Sequence, residues 1–281
     1  MQEIIWETAL DSIKLLPFLW IAYLLIEYVE HKKSDKLEAL LRGTGKFGCL
    51  GGALLGSFPQ CGFSVAASNF FTGRVITMGT LVSVFIATSD EALPVLLSYP
   101  DRMDVTLKLL GTKIVLAVIV GFLTDVFIRK KQKNPSSDDI HEEICSHCKC
   151  ESHGILYASL RHTLTIFLFI FLVNLVMNGL IEWIGTDTLT QFFQSTSGLH
   201  PLLAVIIGLI PNCASSVVLT ELFLSGTLSF GATVAGLSAG SGIGLLVLFR
   251  MNKRMRENII VLAIITLAGL VAGYLLQMIG I

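Results

Sequence analysis

Three carboxylates stand in stretches that otherwise leave no room for charge. Asp90 and Glu91 lie deep in the apolar run from Val75 to Ser98, and Glu221 lies in the apolar run from Cys213 to Leu224. A charged side chain in a bilayer core costs several kcal/mol, so such groups face a cavity, pair up or bind something. Amides and a hydroxyl are spaced to join them: Gln60, Asn69, Ser89 and Asn212. Carboxylates with amides suit a hard or borderline divalent cation such as Mn²⁺. Cys61 and Cys213 add sulfur, which suits Zn²⁺, Fe²⁺ or a thiophilic metalloid such as arsenite. Pro94 has no N–H for the carbonyl of Asp90, which leaves that oxygen free.

These residues belong to a duplicated element. Shifted by 152 positions, Gly56–Leu97 lies without a gap on Gly208–Phe249, and the 44 aligned pairs from Leu54 to Leu97 contain 13 identities. Pro59-Gln60-Cys61 falls on Pro211-Asn212-Cys213, Gly79 on Gly231, and Ser89 on Ser241. Glu221 aligns with Asn69, whereas Asp90 and Glu91 align with Gly242 and Ile243, so the acidic groups are unshared. A further match, Ile114–Ala117 with Ile260–Ala263, suggests that the duplication reaches the last segment of each half.

The elements that must position them are membrane helices. The 281 residues are 53% hydrophobic and only 15% charged, against about 25% charged in soluble domains. Five apolar segments are expected in each half: Ile13–Val29, Phe47–Phe58, Cys61–Thr72, Val75–Ser98 and Leu107–Ile128, then Leu164–Ile184, Pro201–Ile210, Cys213–Leu224, Leu228–Phe249 and Ile259–Met278. The fold class is therefore an all-α polytopic membrane protein with ten segments. It divides into a first repeat (1–128), a cytoplasmic linker (129–159) and a second repeat (160–281). Glycine stripes at Gly48, Gly52 and Gly56 and at Gly236, Gly240 and Gly244 would let neighbouring helices approach closely.

Five segments per half make the second repeat enter from the opposite side. With both termini outside, sixteen of the twenty basic residues fall on the cytoplasmic side, leaving Lys14, Arg102, Lys108 and Lys113 outside. Inverted repeats with paired short, proline-interrupted segments point to a transporter whose site lies at the repeat interface. A 12-residue helix spans roughly 18 Å, so pieces ending at Pro59 and Pro211 would deliver Gln60, Cys61, Asn212 and Cys213 to the midplane. The membrane and a metal ion substrate are the expected partners, with a second copy of the chain as a further candidate and no nucleic acid. No tightly bound cofactor and no catalytic residue is expected. A coupling proton would pass through one of the carboxylates. The first alternative is an arsenite or organoarsenical efflux permease using Cys61 and Cys213, and a membrane-embedded enzyme using Asp90, Glu91 and Cys61 is the weaker one, because inverted symmetry suits alternating access.

The linker offers a second set of metal donors. His141, Cys145, His147, Cys148, Cys150 and His153 fall within 13 residues. A reducing cytoplasm would keep the thiols free for metal capture or sensing where an exporter loads.

The duplicated Pro-x-Cys hairpins, the A-T-S-D-E-A-L-P stretch at Ala87–Pro94, the N-C-A-S-S stretch at Asn212–Ser216 and the Cys/His linker resemble the ten-helix heavy-metal exporters of bacteria and archaea. That family is related to arsenic-efflux permeases and often labelled as manganese transporters. The resemblance covers essentially the whole chain and implies efflux of a metal or metalloid across the cytoplasmic membrane. The arsenic permeases tend to carry paired cysteines after the proline. Here each triplet has one cysteine with acidic residues nearby, which favours a divalent cation over arsenite.

Overall fold

The computed structural model describes residues 48–89, 92–129 and 199–279, with isolated positions in 16–24 and 160–176. The 129–159 linker with His141, Cys145, His147, Cys148, Cys150 and His153, and the pair Asp90 and Glu91, lie outside the described residues.

The described residues are helical. In order they form α1 (Gly48–Gly56), α2 (Cys61–Thr72), α3 (Met78–Ala87), α4 (Ala92–Leu97), α5 (Met103–Arg129), α6 (His200–Gly208), α7 (Cys213–Leu224), α8 (Phe230–Ala239), α9 (Ile243–Met251) and α10 (Met255–Ile279). The first three bounds of each half repeat residue for residue at the 152-residue offset, and the long last helices both start on a methionine at that offset. The local chemistry repeats too. Thr77 caps α3 by accepting from the amide of Thr80 at 3.1 Å, and Ser229 caps α8 by accepting from the amide of Ala232 at 3.3 Å. The turns after α2 and α7 pass through left-handed residues at equivalent places, Arg74 (φ 58) and Gly226 (φ 78).

Four stretches are long and apolar enough to cross a membrane: Met78–Leu97, Met103–Ile128, Phe230–Met251 and Met255–Ile279. Their layering follows from burial. Every residue of α3 is buried, as is every residue of α8 from Gly231 to Ala239. By contrast, α5 and α10 turn large apolar faces outward, with Leu107, Val115, Phe127, Leu267, Val271 and Met278 all exposed. Exposed apolar belts of this size fit hydrocarbon rather than water.

The two halves interlock. Helix α9 of the second half packs on α2 of the first, and α4 of the first packs on α7 of the second. The hydroxyl of Ser68 donates to the carbonyl of Gly244 at 2.7 Å across the first of these contacts. At the end of the same pairing, Arg74 (Nη1) donates to Glu257 (Oε2) at 2.8 Å, joining the α2–α3 turn to the start of α10.

Two features depart from the sequence expectation. Val75–Ser98 and Leu228–Phe249 are not continuous helices: α3 stops at Ala87 and α8 at Ala239, and α4 and α9 begin several residues later. The second break runs through Gly240 and Gly242, the latter at φ 54, a conformation that side chains with a Cβ rarely adopt. The stripe Gly236–Gly240–Gly244 is therefore divided: Gly236 meets α6 while Gly244 sits against Ser64 of α2. The second departure is the register of the long helices. Gly121 of α5 meets Gly79, and Gly273 of α10 meets Gly231, both at the 152-residue offset. The Ile114–Ala117 and Ile260–Ala263 match lies out of that register. The other stripe acts as expected: Gly48 and Gly52 admit Thr80, and Gly56 admits Val84.

A buried carboxylate anchors the first inner helix. Asp125 of α5 accepts from the hydroxyl of Thr77 at 2.7 Å, the amide of Gly79 at 2.8 Å and the thiol of Cys49 at 3.6 Å. It thereby supplies negative charge and an acceptor at the amino end of α3, where unpaired amides accumulate. Asp125→Ala strands the Gly79 amide in the core. The expected cost is about 1–3 kcal/mol, read as a lowered unfolding midpoint of the purified protein, with Cys49→Ala nearly neutral by comparison.

Candidate functional site

Helix breaks release backbone groups, and three of the breaks converge. The α3–α4 break brings Thr88 and Ser89 to one wall of a narrow crevice of about 10 Å³, room for about one water molecule. The α8–α9 break brings Gly240 and Gly242 to another wall, and the start of α7, after the Pro211 break, brings Asn212 just before the helix and Ser215 and Ser216 in its first turn. The floor is small where the helices cross, at Gly208 and Gly236, and apolar at Leu219 and Leu237. Asn212 is the residue before the first turn of α7, and its side chain makes no cap bond there. The hydroxyl of Ser215 turns back to the carbonyl of Asn212 at 2.7 Å. The polar lining residues carry hydroxyls and an amide, and the hydroxyls of Thr88, Ser89 and Ser215 donate back to the carbonyls of Val84, Ala87 and Asn212.

The crevice draws most of its lining from the second half. The equivalents of Ser215, Leu219, Gly236 and Leu237 at the 152-residue offset are Phe63, Ala67, Val84 and Phe85. Two phenylalanines thus stand where the crevice has a serine and a leucine, and the equivalent of Gly236 gains a branched side chain.

Of the residues singled out from the sequence, Ser89 and Asn212 meet here. Gln60 and Cys61, at the start of α2, are half-buried and off the crevice wall. Asn69 is buried further along α2. Glu221 is exposed on α7 and also off the wall. Cys213 begins α7, and its side chain lies outside the described residues, as do Asp90 and Glu91, which directly follow Ser89. Pro59 and Pro211 lie between the short helices, as their spacing requires. Pro94 lies in α4 directly after Leu93, whose amide donates to the carbonyl of Ser89 at 3.2 Å, so the break at Thr88–Ser89 precedes it. Among the described residues no three of His, Cys, Asp and Glu come close enough to hold a metal ion.

The residue that sequence reasoning misplaced is Lys113. Counted above with the outer-face charges, it is instead fully buried, at 0% exposure, in the membrane-crossing helix α5. Its ammonium donates to the carbonyl of Thr88, to the hydroxyl of Ser89 at 3.1 Å and to the carbonyl of Leu237 at 3.0 Å. It therefore ties the first break to α8 of the other half beside the crevice. The signal was present in the sequence: a lysine within an apolar segment is a functional-site indicator by default. Its equivalent at the 152-residue offset is Ile265, also buried.

The profile of the family described as "Putative, 10TM heavy-metal exporter" matches residues 2–188 and again residues 164–280. The chain belongs to this family. No curated protein and no solved structure matches it. The family resemblance drawn from the Pro-x-Cys hairpins is thus to the right family, and the chain is a multi-pass membrane protein. The ten crossings in the family's description leave six beyond the four apolar spans found among the described residues.

Proposed function

We propose that this exporter is a secondary transporter that carries a divalent transition metal, Mn²⁺ first, out of the cytoplasm by alternating access of two five-helix units of opposite orientation. The observation that carries the reading is the crevice in which the Thr88–Ser89 break of one unit faces the Asn212–Ser216 turn of the other. Sites at such unit interfaces, built from broken helices, are what alternating access requires. The recurrence of helix bounds at one offset and the crossed packing of α9 on α2 and α4 on α7 support two intertwined units. The distribution of basic residues supports termini outside and a cytoplasmic linker in the cell membrane. Removing the buried Lys113 from the outer face sharpens that asymmetry.

The donor set supports the choice of ion. The polar side chains on the crevice wall offer oxygen and nitrogen of hydroxyl and amide type, and Asp90 and Glu91 follow Ser89 in the chain. Oxygen donors with carboxylates suit Mn²⁺. The Lys113 ammonium repels a divalent ion, so both carboxylates are needed to leave the site net negative. A second reading, arsenite efflux through Cys61 and Cys213, is less well supported because Cys61 lies off the wall.

The test is ⁵⁴Mn²⁺ uptake into inside-out vesicles, with Zn²⁺, Fe²⁺ and arsenite as competitors. Wild type and Cys61→Ser should transport alike, and Ser216→Leu, which fills the crevice, should lower the initial rate at least tenfold, about 1.4 kcal/mol. Absence of Mn²⁺ uptake, together with arsenite transport that is lost in Cys61→Ser, sinks the reading.

A further inference from the structure

Lys113 does more than neutralise charge, and the oxygens it meets say what. Thr88 is the residue after α3, so its carbonyl lies beyond the helical ladder. Leu237 lies in the last turn of α8. A continuing helix would pair its carbonyl with the amide of Ser241, but that amide turns instead to the carbonyl of Ala239 at 3.1 Å. Both carbonyls are thus released by helix breaks, at helix carboxyl ends that carry partial negative charge. With the Ser89 hydroxyl they make three oxygens, among the described residues, that converge on the Lys113 ammonium from both halves of the chain. Converging carbonyl and hydroxyl oxygens at half-helix carboxyl ends are how transporters hold monovalent cations.

The geometry points to a monovalent-cation site formed by Thr88, Ser89 and Leu237, which this chain fills permanently with the ammonium of its own Lys113. Because Lys113 is covalently attached, the exporter has no need of a free ion to hold the α3–α4 break against α8. The equivalent position in the other half, Ile265, brings no such charge. Occupancy of the site holds the crevice walls together, and in that respect the inference rests on the transport reading. Cation binding itself does not, since it is measurable without transport.

The experiment empties the site and offers it free cations. Lys113→Ala is purified in detergent, and its unfolding midpoint is titrated with methylammonium, Na⁺, K⁺ and choline at constant ionic strength. A saturable rise on the order of 5 °C is expected with methylammonium or a small alkali ion, none with choline, and none for wild type. Lys113→Met, which fills the space with an apolar chain, should not respond. In inside-out vesicles, the lost transport of Lys113→Ala should return with methylammonium, while wild-type transport stays independent of Na⁺ and K⁺. Should the alanine variant aggregate, Lys113→Ser is read in the same way. The inference is overturned if the folded variant responds to no cation, if wild type and Lys113→Met respond equally, or if both small variants stay unfolded with methylammonium present throughout. A cation response in the stability assay with no Mn²⁺ transport by any protein would instead remove the transport reading and leave the site standing.

Discussion

Cells carrying Asp90→Asn are expected to lose Mn²⁺ tolerance almost completely, with vesicle transport down about a hundredfold, the equivalent of about 2.7 kcal/mol. The reason is the arithmetic of charge beside the crevice. Lys113 brings one fixed positive charge to Ser89, the residue next to Asp90 in the chain. On the proposed reading, Asp90 and Glu91 must supply enough negative charge to offset that ammonium and still attract a dication. Removing one carboxylate leaves a site that is at best neutral, in a setting where each uncompensated charge costs several kcal/mol. Glu91→Gln should fall in the same direction. Glu221→Gln should be nearly silent, because Glu221 is exposed on α7. The measurement is growth in excess Mn²⁺ alongside initial-rate uptake, with protein levels matched. Wild-type rates in Asp90→Asn would remove Asp90 from the site, and a large loss in Glu221→Gln would move the acidic function to α7.

The parts legible in the sequence were those set by local chemistry. Proline at 59 and 211 and the cysteine two residues later mark the ends of short helices, and α2 and α7 begin where that pattern says. The glycines at 48, 52 and 56 announce a close helix contact, and they have one. Ser89 and Asn212 come together because each adjoins a helix end on the crevice wall. What stayed hidden was decided by distant partners. Nothing within a few residues of Ala87 ends α3 unaided, whereas Gly240 and Gly242 help to end α8. The gaps are held open by contacts such as Lys113 to Thr88, 25 positions away, and Lys113 to Leu237, 124 positions away. The same distance explains the misplaced lysine: near the start of an apolar segment it reads like a side chain reaching for the interface, until its partners are known. Gln60 shares the motif position of Asn212 but misses the crevice, and the two halves differ there: Phe63 and Phe85 stand at the positions of Ser215 and Leu237.

The second large effect concerns the glycine crossings. Gly79→Ala and Gly231→Ala should each be strongly destabilising, while Gly111→Ala and Gly51→Ala should be neutral or slightly stabilising. A Cβ at Gly79 would strike the carbonyl of Gly121 and lie 2.6 Å from Asp125 Oδ1; a Cβ at Gly231 would lie 2.6 Å from the carbonyl of Gly273 and 2.9 Å from the amide of Gln277. These neighbours are mostly backbone of long helices, so relief requires α5 to move off α3, or α10 off α8. Overpacking of this kind costs about 1–3 kcal/mol, sometimes more, and displacing α5 from α3 also breaks the Asp125 bonds to Thr77 and Gly79. For Gly79→Ala the sum should exceed 3 kcal/mol, a fall of about 6 °C or more in the unfolding midpoint. At Gly111 and Gly51 nothing lies within 4 Å of the added carbon. There the gain in helix propensity, about 0.5–1 kcal/mol, is all that remains. Thermal unfolding of the four purified variants is the measurement. Similar midpoints for all four would mean that the two crossings are looser than this packing, and the equivalence of Gly79–Gly121 with Gly231–Gly273 would lose its structural meaning.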